Sequence, residues 1–351
     1  TRGPFVLVAV SATGEPVPYL ERQLSLLHLQ LVAILTRGVE KAFERRATYD
    51  MRGLMGGTEQ TLAQLVKGFT WEPGCYLSAC RPLPLDAEPR ARVQAALSQA
   101  VAQTQAEAQT LHAVLLTEDA VVGLASARRT GPIDQSDLLL LLTFVRSTGS
   151  FRAQESAAPV CLPALDPHAF VHCYVSYLQP SLCLVLVAAA PGAFESLRLA
   201  RQRVEKVLAA GEAMDAVGAA MRSGSCPRVH VPRLPGAAVL TGDAALRAGL
   251  CPLWHFLYKS TPASQYVSPA FAPPLSGTKE QRHVLRAYQR LYYASRATGQ
   301  NPSRVHYTAD ERLVLLACRG SDFELLAAFD PLTEKNTAVS ACNRLCAYLR
   351  E

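Results

Sequence analysis

Apolar positions along the chain follow two rhythms, an alternation typical of strands and a three-to-four spacing typical of helices. Three times a pair of apolar strand segments is followed at once by an amphipathic helix. The pattern is plainest in residues 169–189 with a helix over 193–208, and in 303–329 with a helix over 334–350. A third copy runs through 111–127 to a helix near 134–147. Each copy predicts one antiparallel sheet with its covering helix, an α+β layer arrangement.

The same reading divides the chain into units. Residues 1–72 begin with a predicted strand over Pro4–Val10, closed by Ala12-Thr13-Gly14. A helix follows from about Pro18, with Leu20, Leu24, Leu27, Leu31 and Ile34 on one face. Gly38 is expected to interrupt it, and Val39 and Phe43 continue the pattern towards Arg46. Gly56-Gly57 then precedes a short helix capped by Thr58. One strand and two or three helices make half a domain.

Residues 75–211 predict a second unit with a helix near 90–105 and strands over 111–117 and 120–127. A helix capped by Asp134 or Ser136 comes next, then strands over 157–163, 169–178 and 181–189. The closing helix is expected to turn Phe194, Leu197, Val204 and Leu208 inward. Proline, glycine and serine mark 212–245 as a linker or irregular loop. Residues 246–351 form a third unit with strands over 253–259 and 265–270, a helix over 278–297, and strands over 303–309, 311–318 and 322–329. Its last helix lines up Val339, Cys342, Leu345, Cys346 and Leu349.

Composition narrows the function classes. Hydrophobic residues make up 49% and charged ones 18%, enough to build real cores and to exclude disorder. A net charge of +6 favours acidic partners or anionic lipid but falls short of a nucleic-acid-binding profile. From Pro167 to Phe194 there is no charged residue, yet Gln179-Pro180-Ser181 marks a turn, which predicts a buried hairpin and no transmembrane segment. The start, Thr1-Arg2-Gly3 without an initiator Met, predicts no signal peptide and a fragment or trimmed chain. The ten cysteines have no repeating spacing and read as buried thiols.

Catalytic motifs are missing. The sequence holds no phosphate-cradling G-x-x-x-x-G-K-[ST], no G-x-S-x-G elbow, no G-x-G-x-x-G, and no C-x-x-C or H-E-x-x-H metal spacing. His168, His172 and Cys173 cluster, but His172 and Cys173 are adjacent on a predicted strand and point to opposite faces. No cofactor and no metal are expected. Two basic features are candidates for partner binding. Arg282, Arg286 and Arg290 repeat every four residues opposite Val284, Tyr288 and Leu291, and the mutual repulsion of such a stripe is relieved by lipid or an acidic partner. Arg45, Arg46, Tyr49 and Arg52 lie in a dense polar segment between apolar helices, suited to specifying a protein partner. Arg198, Arg201, Arg203 and Lys206 spread around their helix more diffusely.

That polar segment also carries a resemblance. Leu35-Thr36-Arg37-Gly38 through Phe43, then Tyr49-Asp50-Met51-Arg52-Gly53-Leu54-Met55-Gly56-Gly57-Thr58-Glu59, resemble the SAND/Mon family of vacuolar-fusion proteins. Cys161-Leu162-Pro163, Ala169-Phe170-Val171-His172, Ser181 to Val187, His255 to Ser260, Phe323-Glu324-Leu325 and Asp330-Pro331-Leu332 extend it in order. The resemblance implies three tandem longin domains, each an antiparallel sheet flanked by helices, with the first incomplete because the family's opening strands precede the one matched by Phe5–Val10. It further implies pairing with a Ccz-type longin subunit and guanine nucleotide exchange on a late-endosomal Rab GTPase, by binding and without covalent catalysis. The expected place is cytoplasmic, peripheral on endosomal or vacuolar membranes. The alternative is a longin scaffold that tethers protein partners and anionic lipid without promoting exchange.

Overall fold

The computed structural model describes residues 5–45, 50, 52–222, 253–297 and 304–350. It divides into two compact units. One gathers Thr1–Ala9, Gln23–Phe69 and Cys80–Ser225; the other gathers Val10–Arg22, Thr70–Ala79 and Cys226–Glu351.

The opening helices are α1 (Val17–Leu35), α2 (Gly38–Arg45), α3 (Glu59–Trp71) and α4 (Gly74–Leu77). The break between α1 and α2 is made by Thr36, whose φ of 57° is left-handed and whose Oγ1 accepts from the Gly38 N–H at 3.1 Å. Gly38 itself starts α2, so the interruption falls before its glycine and not at it. Thr58 does not cap α3 through its side chain: its hydroxyl donates to the Met55 carbonyl at 2.7 Å. The expected strand over Phe5–Val10 is absent from both sheets, and Val6, Val8 and Val10 are 70%, 78% and 95% exposed. Phe5 is half-buried, its ring edge-on to His28 and Phe43.

The first unit is built on α5 (Ala87–Gln103), β1 (Thr110–Leu116), β2 (Val121–Ser126), α6 (Gln135–Ser147), β3 (Ser156–Val160), β4 (Val171–Gln179), β5 (Leu182–Ala188), α7 (Phe194–Ala209) and α8 (Ala213–Arg222). Its five strands form one antiparallel sheet in the order β2-β1-β5-β4-β3. Two of the three predicted hairpins, 111–127 and 169–189, therefore join edge to edge in a single sheet instead of forming separate modules. The seam is β1 against β5, with Val114 opposite Val185. Side chains alternate across it: Ala113 and Leu115 meet α5, α7 and α8, while Val114 and Leu116 meet α6. Central β5 is buried at every position, which is why its sequence is an unbroken apolar run.

Asp134 caps α6, accepting from the Ser136 N–H at 2.7 Å. In α7, Leu197, Val204 and Leu208 are buried as expected, but Phe194 at the first turn is 38% exposed, its ring edge-on to Tyr174. Residues 213–222, expected in a linker, continue as helix and bury Ala213 and Val217 on the same core. Residues 223–245 lie outside the described residues. The α1 and α3 portions of this unit are tied in by the Cys161 N–H, which donates to the Ala33 carbonyl at 3.0 Å, and by Thr61 Oγ1 with Ser147 Oγ at 2.8 Å.

The second unit repeats the plan with β6 (Leu253–Ser260), β7 (Gln265–Val267), α9 (Thr278–Ala297), β8 (Val305–Ala309), β9 (Val314–Arg319), β10 (Phe323–Phe329) and α10 (Lys335–Arg350). The sheet order is β7-β6-β10-β9-β8, again antiparallel throughout. One face carries α9 through Val284, Tyr288 and Leu291, and the other carries α10 through Cys342, Leu345 and Cys346. Tyr19, Tyr76, Tyr292 and Tyr293 add an aromatic cluster, with Tyr76 and Tyr292 centroids 5.2 Å apart. Among the described residues, no helix is long and apolar enough to cross a membrane. The uncharged stretch 167–194 contains the buried β4–β5 hairpin.

Candidate partner-binding surfaces

In the first unit Arg45 closes α2 and is exposed. Arg52 opens a short 3-10 turn and folds back on Asp50, with Nη2 2.8 Å and Nε 3.0 Å from its carboxylate oxygens. The Asp50 Oδ1 also accepts from the Arg52 backbone N–H at 3.0 Å, so two residues form a local Asx-type turn. These bonds hold the Asp50 carboxyl below its ordinary range. The Arg52 side chain remains 92% exposed, and a pair of this kind adds little to folding. Its planar guanidinium is thus presented to solvent. Arg46 and Tyr49 lie outside the described residues.

The α9 stripe is more engaged than its spacing suggests. Arg282 is exposed but stands 5.4 Å over the Trp71 ring, an intramolecular cation–π contact. Arg286 is half-buried and acts on Glu15. Burial raises the Glu15 carboxyl, but hydrogen bonds from Ser11 and Thr13 and the Arg286 charge outweigh it and hold the group below its usual value. Arg290 alone of the three is exposed without such a contact among the described residues. The diffuse set on α7 is also engaged internally: Arg198 pairs with Glu195 at 2.8 Å and Arg201 with Glu205 at 2.8 Å.

Burial governs the ionisable groups inside the first unit. Burial pushes the Cys161, Cys173 and Cys183 thiols up to about 12, where almost no thiolate forms. Cys173 packs into the core beneath α6 while neighbouring His172 is half-buried on the other face, so the two do not meet. His112 Nδ1 lies 2.9 Å from Ser126 Oγ, but burial lowers this imidazole to about 4 and leaves a weak base. No group of three His, Cys, Asp or Glu is placed to hold a metal among the described residues.

Two features had no signal in the linear pattern. Asp137, in the first turn of α6, is buried and accepts from the Ala164 and Leu165 backbone N–H groups at 3.1 Å. Burial raises its carboxyl to about 6 against those two bonds, and the Asp134 charge adds to the rise. Its role is to hold the 164–165 turn. The other is a 490 Å³ cavity in the second unit lined by Arg304, Arg319 and Arg350 with Gly320 and Ser321. Those arginines come from the approach to β8, the end of β9 and the end of α10, so no short window of sequence joins all three.

Comparison with known proteins matches this architecture to a family domain by domain. Residues 1–65, 108–206 and 252–351 match, respectively, the first, second and third longin domains of FUZ, MON1 and HPS1. The vacuolar fusion protein MON1 homolog of Arabidopsis thaliana is 35% identical over 369 residues, covering 100% of this chain and 58% of its own length. The human MON1 homolog A is 31% identical, with 100% of this chain and 50% of its own covered.

The chain belongs to the SAND/Mon family.

The protein named SAND from Takifugu rubripes is likewise 31% identical, with 63% of its length covered. The chain thus spans between half and two thirds of these curated relatives. Its fold is α+β with tandem longin domains, as the resemblance implied. Among solved structures, the gliding protein MglB from Thermus thermophilus is similar at a TM-score of 0.28 and 18% identity, covering 37% of this chain and 95% of that one.

Proposed function

We propose that this SAND/Mon-family chain supplies the longin portion of a Mon-type subunit in vacuolar fusion. It pairs with a Ccz-type longin subunit and promotes guanine nucleotide exchange on a late-endosomal Rab GTPase, on the cytoplasmic side of endosomal or vacuolar membranes. The observation that carries the reading is the in-order match of all three longin domains to a family whose relatives are named vacuolar fusion proteins.

The physical logic suits a chain that displays surfaces. A GTPase holds its nucleotide through phosphates, Mg²⁺ and ordered switch loops. A partner that binds the nucleotide-free form more tightly weakens nucleotide affinity by the same factor. Each tenfold of weakening needs about 1.4 kcal/mol of differential contact, which shape and charge complementarity supply without a covalent step. On this reading the exposed arginines at Arg45 and Arg52, with Arg46 and Tyr49, contribute to subunit assembly or GTPase docking.

The test is release of a fluorescent guanine nucleotide from the GTPase. The chain together with its Ccz-type partner is expected to accelerate release, and the partner alone is not. No acceleration by the pair, with both subunits shown to associate, would favour a scaffold that tethers without exchanging.

A further inference from the structure

The 490 Å³ cavity at the tip of the β9–β10 hairpin gathers three arginines, of which Arg350 alone has a carboxylate partner among the described residues. Arg319 ends β9, and its backbone N–H donates to the Arg304 carbonyl at 2.8 Å. This continues the β8–β9 ladder, in which Val305 faces Cys318, and sets Arg304 directly opposite Arg319. Like charges placed opposite one another across a ladder destabilise it. The third arginine, Arg350, reaches the cavity from the end of α10. It is held there by Asp322 at 2.7 Å and by the Phe323 ring, whose centroid lies 4.6 Å from its guanidinium carbon.

Counter-charge nearby is already engaged. Asp322 is bonded to Arg350. Glu324 stands opposite Arg319 on β10, but its oxygens contact Arg296 and, at 3.9 Å, Lys259. Among the described residues, the three arginines lining the cavity face one carboxylate bonded to them, that of Asp322. Arg304 and Arg319 form no ion pair among the described residues. Gly320 keeps the hairpin tight: a side chain there would run into the Phe323 ring and displace the surface on which Arg350 rests.

We propose that this cavity is a binding site for a multiply phosphorylated small molecule or headgroup. The size falls within the range of small-ligand sites, and the guanidinium fork bonds phosphate oxygens in pairs. A single carboxylate would leave most of the charge uncompensated, whereas each phosphomonoester carries about two negative charges. Bound phosphates between Arg304 and Arg319 convert their repulsion into attraction. The site is separate from the α9 stripe and from any exchange activity, so it stands or falls independently of the proposed function.

The experiment is calorimetric titration of the full chain with inositol 1,4,5-trisphosphate, alongside co-sedimentation with phosphatidylcholine vesicles with and without phosphatidylinositol bisphosphate. The trisphosphate is expected to bind, Arg304→Gln to weaken it, and Arg304→Gln with Arg319→Gln to cost about tenfold or more in affinity. Arg282→Gln with Arg286→Gln, an equal loss of charge, is expected to leave the affinity unchanged. Thermal melts establish that each variant is folded, and the exposed Arg304→Gln decides alone if the double variant is not. Trisphosphate binding together with vesicle recruitment assigns a lipid headgroup; trisphosphate binding without recruitment assigns a soluble phosphate. The proposal is overturned by no trisphosphate binding, by equal weakening in the stripe variant, or by binding of polyglutamate in its place.

Discussion

Single residues do two kinds of work here, and Asp137 shows the buried kind. Its carboxylate joins α6 to the 164–165 turn through two backbone N–H donors. Asp137→Ala leaves both donors without this acceptor and is expected to destabilise the protein by about 1–3 kcal/mol in urea unfolding. The pH dependence has a definite sign. The folded carboxyl titrates at about 6 and the unfolded one near 3.8, so the native state holds the extra proton between these values. Stability from this group is greatest below about pH 4 and declines as pH rises towards about 6. The loss on Asp137→Ala is therefore expected to be larger at about pH 4.5 than at about pH 7.5. Equal losses would contradict the assignment.

At the surface, Arg52 and Arg45 carry the partner hypothesis. Arg45→Glu with Arg52→Glu is expected to weaken capture of the Ccz-type subunit or of the GTPase in a pull-down while leaving the melting temperature close to that of the parent. Unchanged capture of both would remove this segment from the interface. The candidate residues were legible because polar residues interrupt two apolar helices there. What the sequence could not convey is that Arg282 and Arg286 already have Trp71 and Glu15 nearby, positions far from them along the chain.

Among the elements, local periodicity identified most strands and helices, because each buries a face or alternates across a sheet. The capping carboxylate of Asp134 and the unbroken apolar β5 are examples in which pattern and structure agree. Pairing between hairpins was not legible, since the β1–β5 seam joins Thr110–Leu116 to the distant Leu182–Ala188 and edge choice leaves no periodic trace. The helix at Ala213–Arg222 was hidden by the proline- and glycine-rich residues that follow it. The strand expected at Phe5–Val10 fails for the opposite reason, having the right composition but no place in either sheet.

Close approach of α5 to β2 provides a test at this scale. A Cβ on Gly123 would lie 2.7 Å from Val93 Cγ1 and 3.0 Å from Leu97 Cδ1. Val93 is fully buried and β-branched, so it has little freedom to move aside. Gly123→Ala is expected to cost about 1–3 kcal/mol through this overlap, measured as a reduced urea midpoint at unchanged slope. A neutral or stabilising effect would show that the helix yields more readily than its packing implies.

Among the described residues one plan is used twice: a five-stranded antiparallel sheet with helices on both faces, giving each a core on either side of its sheet. On the proposed function such modules act through their exteriors, where Arg52 sits in a turn and Arg350 at a helix end. The proposed exchange activity asks only that these exteriors prefer one state of a GTPase to another. That preference is measured by equilibrium binding of the paired longin subunits to the Rab GTPase, once free of nucleotide and once loaded with GDP and Mg²⁺. Markedly tighter binding to the nucleotide-free form, weakened when GDP is added back, is the predicted result; equal affinity for the two forms would contradict the exchange mechanism.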